Sequence, residues 1–209
     1  ILDVEPGRRI SGFVDADNAG NPYTGANRIG AQFNLNNPLG RGDVAGLRLL
    51  TSGEGLKYGR ASYQTMLGRA TAGVAYSWLE YELGKQFKPL GANGTAKVAS
   101  VFGSLPLIRS RDTNLYTGLT FEHRAFEDRL DLFPAADRVA SADAFILSLY
   151  GDHSDNFGGG GTNRFYLALT GGRLDIESPL PRAIDAATAR TQGDYTKLWF
   201  HAGRVQRIT

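Results

Sequence analysis

The sequence predicts an all-β chain: an antiparallel up-and-down meander of about ten strands taken from a transmembrane β-barrel. Three observations lead there. Gly supplies 27 of 209 residues, alongside 9 Tyr and 11 Phe but a single Met, a composition that suits strands and turns better than helices. Apolar and polar residues alternate with a period of two through segment after segment, which puts the two kinds on opposite faces of a strand. The connections also alternate in character. Turns near Asn37, Met66, Arg111 and Gly159 fall at one end, and those near Gly20, Gly53, Phe87, Asp131 and Ala186, several of them long, at the other. Outer-membrane barrels show that asymmetry. A soluble β-sandwich stays open, because antiparallel sheets with one solvated face alternate in the same way.

The first strand, Arg8 to Asp15, alternates weakly. The second, Asn27 to Asn36, is clear: Ile29, Ala31, Phe33 and Leu35 oppose Arg28, Gly30, Gln32, Asn34 and Asn36. It lies between a turn rich in Asn and Gly (Asp17 to Gly25) and the turn Asn37-Pro38-Leu39-Gly40-Arg41-Gly42-Asp43. The third, Val44 to Thr51, sets Ala45, Leu47 and Leu49 against Gly46 and Arg48. The fourth, Lys57 to Thr65, sets Ala61 and Tyr63 against Arg60, Ser62 and Gln64. The fifth, Ala70 to Leu79, carries Ala72, Val74, Tyr76 and Trp78 on one face. After a connection from Glu80 to Asn93 comes the sixth, Gly94 to Leu105, followed by a polar turn, Leu107 to Asn114.

The seventh strand opposes Leu115, Thr117, Leu119 and Phe121 to Tyr116, Gly118, Thr120 and Glu122. The eighth, Ala140 to Tyr150, leads through a turn (Gly151 to Gly161) to the ninth, Asn163 to Leu174, where Phe165, Leu167 and Leu169 face away from Arg164, Tyr166 and Thr170. A short helix is expected from Ala183 to Arg190, then a tenth strand, Tyr195 to Arg207. Ile1 to Gly7 read as the tail of a preceding element, so the chain is expected to be part of a longer protein.

The formal charge is +2, with both signs scattered along the chain, so there is no basic footprint for nucleic acid. With no cysteine there is no disulfide framework and no thiolate metal site. No apolar run reaches the about 18 residues of a transmembrane helix, a test that a strand-built membrane protein escapes.

The wet face carries Arg28, Gln32, Asn34, Arg48, Arg60, Gln64, Glu122 and Arg164. Charge and amide groups there suit a hydrated lumen better than a packed core, and these eight are the predicted lumen-facing residues. The arginines either pair with acidic neighbours such as Glu122 or line the path of a passing chain. Asp152-His153-Ser154-Asp155 has metal-ligand types, but a polar turn accounts for it equally well. Gly158 to Gly161 lacks the Lys and Ser/Thr of a phosphate loop. No Gly-x-Ser-x-Gly elbow is present, and neither a catalytic residue, a metal nor a cofactor is expected. Tyr76, Trp78, Tyr81 and Trp199 near strand ends read as a membrane-interface girdle rather than a sugar site.

The order Asp17-Asn18-Ala19-Gly20, Thr24-Gly25, Arg28, Asn37-Pro38-Leu39-Gly40-Arg41-Gly42-Asp43 and Thr51-Ser52 resembles the start of the barrel in two-partner secretion transporters. These are the haemolysin activation and secretion proteins, related to the outer-membrane assembly protein superfamily. The likeness continues through Tyr63, Leu107 to Ser110, Asn114-Leu115, Asp152, Gly158 to Gly161 and Leu198 to Gln206, with the Asn37 to Asp43 turn its most specific part. The resemblance implies a monomeric sixteen-stranded barrel in the outer membrane of a Gram-negative bacterium, in contact with its lipid and preceded by two POTRA domains. It implies export of one large partner exoprotein of haemolysin, adhesin or toxin type, unfolded in transit and folding outside as a β-helix. It implies neither a cofactor nor an enzymatic activity. Residues 1–209 would then be the N-terminal part of that barrel, with the POTRA domains, the C-terminal strands and the Val-Arg-Gly-Tyr lumen loop outside the chain. The competing readings are a passive porin-like channel or surface β-protein, and a soluble carbohydrate-binding sandwich.

Overall fold

The computed structural model describes residues 7–208. Alternating sequence with glycine-bearing turns folds into ten strands: β1 (Ile10–Asp17), β2 (Arg28–Asn36), β3 (Val44–Thr51), β4 (Leu56–Leu67), β5 (Ala70–Glu82), β6 (Ala92–Arg109), β7 (Thr113–Leu130), β8 (Arg138–Asp155), β9 (Gly161–Ile176) and β10 (Gly193–Gln206). They form one antiparallel sheet in sequence order, each strand paired with its chain neighbours, with β1 and β10 at the two ends. The meander expected from the alternation is therefore the fold. The expected lead-in over residues 1–6 lies outside the described residues.

Strands β6 to β8 are 18 residues long each, well beyond the segments the alternation marks. Past Glu122, β7 continues with His123, Arg124, Glu127, Asp128 and Arg129, so both faces are polar and the period-two signal vanishes. The backbone ladder to β8 nevertheless runs to Asp128. For the same reason Asp152 to Asp155, expected in a turn, belong to β8. Leu107 to Arg109, also expected in a turn, end β6 after a bulge between Pro106 and Ile108; proline has no N–H to give to the ladder. The expected helix forms earlier, as α1 (Pro179–Ala187), since proline is tolerated in a first helical turn.

The faces are set by burial. Every fully enclosed strand residue lies on the polar face: Ala75, Ser77, Ser100, Ala142, Ala144 and Ala168 are among them. On the other face, Phe33, Leu49, Val101, Leu119, Phe145 and Leu169 are 46–60% exposed. A sheet concave towards its polar side crowds that side, and most of the residues fully enclosed there are small. A water-soluble protein has the reverse arrangement, with its large apolar residues enclosed.

The exposed apolar face has two straight borders. His123, Asp143, Arg173 and Asp194 form one cross-strand row on β7 to β10, and Thr113, His153, Asn163 and Arg204 form another. Nine residues separate the rows on each strand. Those facing outward between them are apolar or small, such as Phe145, Leu147, Leu149 and Gly151 on β8. At about 3.4 Å per residue and a tilt of about 40°, the span is about 25 Å, the height of the apolar band on an outer-membrane barrel. His123 Nδ1 meets Asp143 at 2.8 Å on the upper border, and Thr113 Oγ1 meets His153 Nδ1 at 2.8 Å on the lower.

Candidate functional site

The site begins at the turn between β2 and β3, because its geometry explains the most specific motif in the sequence. Asn37, Gly40 and Gly42 have φ of 55°, 75° and 69°, the left-handed region that Gly and Asn tolerate best. Asn37 Oδ1 accepts the Gly42 N–H at 2.8 Å. Asp43, fully enclosed, accepts the N–H groups of Leu39 (3.1 Å) and Arg41 (3.2 Å) and the hydroxyl of Tyr63 (3.0 Å). Asn37, Gly40, Gly42 and Asp43 are thus one hydrogen-bonded unit, clamped to β4 through Tyr63. We expect Gly42→Ala to cost about 1–2 kcal/mol in a chemical unfolding curve of the assembled protein, from the left-handed backbone alone. A Cβ there would also press on Met66 Sδ at 3.2 Å.

Burial pushes the Asp43 carboxyl up, but the Arg41 N–H, the Tyr63 hydroxyl and the Leu39 N–H outweigh it and hold the group below the ordinary carboxylate value. A depressed folded-state value stabilises the fold above the unfolded value of about 4 and loses that contribution as pH falls below it. Asp43→Asn should therefore be less stable than the parent at neutral pH and show a shallower loss of stability on acidification, read from urea midpoints across the acid range.

At the opposite end three connections are tied together. Ser52 Oγ donates to the Thr24 carbonyl at 2.5 Å and accepts the N–H groups of Gly55 and Leu56, while Gly84 N–H donates to the Tyr23 carbonyl at 2.7 Å. Tyr23 and Phe87 meet edge to face at 4.9 Å. The Thr24-Gly25 and Thr51-Ser52 pieces of the motif belong to this knot: Gly25 has φ 106°, and a Cβ there would strike Ser52.

Between these ends lies the polar face. The register puts Arg28, Gln32, Asn34, Arg48, Arg60, Gln64, Glu122 and Arg164 on that one face. Gln32, Arg48 and Arg60 stand in one cross-strand row, and with Asn34, Gly46 and Ser62 they line a shallow polar hollow. The pairing differs from expectation. Glu122 binds Arg124, two residues along its own strand, rather than any of the four arginines. Arg48 makes a two-pronged bond to Asp15 (2.5 and 2.9 Å) with its guanidinium over the Phe13 ring, and Arg28 binds Asp17 at 2.8 Å. Among the described residues Arg60 and Arg164 have no acidic partner. Asp15 and Arg124 were missed because β1 alternates weakly and the pattern on β7 dissolves at His123.

The aromatic residues divide in two. Tyr76 and Trp78 face outward on β5, and Tyr76 stands in the cross-strand row of His123, the upper border of the band. Tyr81 and Trp199 correct the interface reading. Tyr81 is on the polar face with its hydroxyl on Asp128 at 2.8 Å. Trp199 is in the middle of β10 on the polar face, against Tyr166 at 5.1 Å. One apolar residue at a strand end gives no sign of which face it is on until the register is known. Asp152, His153 and Asp155 disperse: Asp152 takes Asn114, His153 takes Thr113, and Asp155 takes Arg204. Gly158, Gly159 and Gly160 form the turn between β8 and β9, all with positive φ.

The sequence model of the family described as haemolysin secretion/activation protein ShlB/FhaC/HecB matches residues 1–132. The heme/hemopexin transporter protein HuxB of Haemophilus influenzae (strain 86-028NP) is 34% identical over 131 residues, covering 61% of this chain and 23% of HuxB. HuxB of strain ATCC 51907 / DSM 11121 / KW20 / Rd is 33% identical over 132 residues, with 62% and 23% covered. The chain thus spans about a quarter of the length of these relatives (23%). Among solved structures, CdiB from Escherichia coli superposes with a TM-score of 0.69 at 22% identity, over 81% of this chain and 32% of CdiB. CdiB from Acinetobacter baumannii gives 0.54 at 15% identity, over 97% and 40%. Both are likenesses of fold.

Proposed function

The chain belongs to the haemolysin secretion/activation family ShlB/FhaC/HecB, and from that membership we propose that it is part of an outer-membrane barrel that exports a large partner protein in two-partner secretion. The observation that carries the reading is the inverted burial: large apolar side chains exposed in a bordered band on one face, small and charged ones enclosed on the other. Lipid is the medium in which such an outer face is stable, and a hydrated passage is the one in which such an inner face is.

Part of a barrel is what the sheet supports. β1 and β10 are its ends, and an open edge in a membrane leaves backbone groups unpaired at high cost. We propose that further strands close it, that the POTRA domains and the lumen loop lie outside residues 1–209, and that the protein sits as a monomeric barrel in the outer membrane of a Gram-negative cell. The passage does no covalent chemistry in this reading. Its wall offers charge, amide and hydroxyl groups at fixed heights, along which the exported chain crosses unfolded. HuxB is described as a heme/hemopexin transporter protein; for this chain we propose a large exported protein as the partner class.

The test is deletion and complementation in the native cell. Loss of one large extracellular protein on deletion, restored by the full-length gene, is the expected result, together with a heat-modifiable band in the outer-membrane fraction. Unchanged secretion with altered permeability to small solutes would make the protein a passive channel instead.

A further inference from the structure

We infer that Tyr116, Tyr150, Tyr166 and Trp199 form an arc of a collar on the passage wall that contacts the backbone of the exported chain while it is extended. The inference rests on the export reading and names a part of its path. Tyr116, Tyr150 and Tyr166 are direct cross-strand partners on β7, β8 and β9, and His201 of β10 continues their row. Their rings stack: Tyr116 on Tyr150 at 5.4 Å and 13°, Tyr150 on Tyr166 at 5.9 Å and 22°. Trp199 meets Tyr166 edge to face at 5.1 Å and stacks on His201 at 6.1 Å. The tyrosines lie on the polar face, three residues inside the lower border on β7 to β9, with Trp199 five residues inside it on β10, and so near the short-turn end of the passage.

Cross-strand aromatic pairing stabilises any sheet, which accounts for the stacking but not for two further features. The Tyr63 and Tyr81 hydroxyls bind carboxylates; among the described residues those of Tyr116, Tyr150 and Tyr166 bind no protein group and remain available. The next row inward holds Gly118, Ser148 and Ala168, with Trp199 at its end. On that side small neighbours leave the tyrosine rings standing above the wall, while on the other side the next row holds Asn114, Asp152 and Arg164.

The ring orientation selects the occupant. A sugar platform presents an open ring face, whereas Tyr150 has a ring stacked on each side and Tyr166 lies between Tyr150 and Trp199. What remains are ring edges and hydroxyls repeated at the strand spacing of about 4.8 Å. Each hydroxyl both donates and accepts a hydrogen bond, so the arc can engage the N–H and C=O groups of any extended chain without reading its side chains. The arc itself carries no carboxylate or guanidinium; the charges nearest to it on this face, Asp152 and Arg164, stand in the next row towards the lower border.

The test uses the full-length protein in cells exporting the partner, with p-benzoylphenylalanine placed at Tyr150 or Tyr166 and, as controls, at the outward neighbours Leu149 or Leu167. Illumination should link the partner at 150 and 166 and not at 149 and 167. Tyr116→Ala, Tyr150→Ala and Tyr166→Ala together should slow export several-fold at equal amounts of assembled barrel. The corresponding Tyr→Phe triple keeps the stacking, holds assembly constant and should also slow export, isolating the hydroxyls. Equal cross-linking on both faces, or a Phe triple exporting at the parent rate, overturns the inference. Parent cells that export nothing overturn the export reading itself. The collar falls with it, whereas absence of a link at 150 in cells that do export the partner overturns the collar alone.

Discussion

Leu147→Arg destabilises the assembled barrel by about 2–4 kcal/mol, the cost of a cation near the midplane of a lipid-facing strand. Leu147 faces outward on β8, four residues from Asp143 and six from His153, the two borders of the band on that strand. It is 54% exposed although it is a leucine, which in water would be an idle liability. The effect is depth-dependent. Ser141→Arg, outward on the same strand but beyond Asp143, should cost about 0–1 kcal/mol. Thr120→Arg, on the polar face of β7, should leave the unfolding midpoint near the parent's. Phe33→Arg repeats the test on β2, where Phe33 pairs with Leu47 on the outward face. The measurement is a urea midpoint of the full-length protein in detergent or lipid, with folded material scored by heat-modifiability. If the order inverts, with Thr120→Arg costly and Leu147→Arg tolerated, the lipid-facing assignment fails and a soluble β-sandwich becomes the better reading.

The same band shows how much could be read from the residues. Alternation divided the central positions of β2 to β5 correctly, because there the outward positions are mostly apolar and the inward ones mostly polar or small; it is weak in β1 and poor in β6. It failed beyond the borders of the apolar band. Beyond His123 and Asp143 the outward positions of β7 and β8 no longer stay apolar, so the pattern disappears while the backbone pairing continues. Strand ends were therefore underestimated by the length of the protruding parts. The Asn37 to Asp43 turn was legible as a motif, but only the structure shows why: a buried carboxylate collecting two backbone N–H groups and a tyrosine hydroxyl. The partners of Arg28 and Arg48 on β1, and the tyrosine arc, depend on register between strands. A one-residue slip would send them to the other face, and periodicity within a strand does not fix register.

Ala144→Leu should destabilise by about 1–3 kcal/mol through overpacking, on the face where a reader expecting a water-filled channel would look for tolerance. Ala144 is 0% exposed, between Glu122 and Gly172 in its cross-strand row. Glu122 is held by its bond to Arg124, and the Tyr195 ring lies over Gly172, where a Cβ would come within 2.6 Å of the hydroxyl. A leucine at 144 has to displace one or the other. Ala142 in the adjacent row and Ala168 two rows away are also enclosed, so the curvature of the sheet rather than one neighbour sets the limit. Ala144→Ser, nearly equal in volume, should leave the urea midpoint close to the parent's. If Ala144→Leu is also neutral, the wall at this height has room to spare, and the concavity inferred from the buried alanines is wrong. A loss confined to Leu means that the inner wall is a packed surface of small residues, so that the free width of the passage is set by the side chains that stand above it, Arg60 and the tyrosine arc among them.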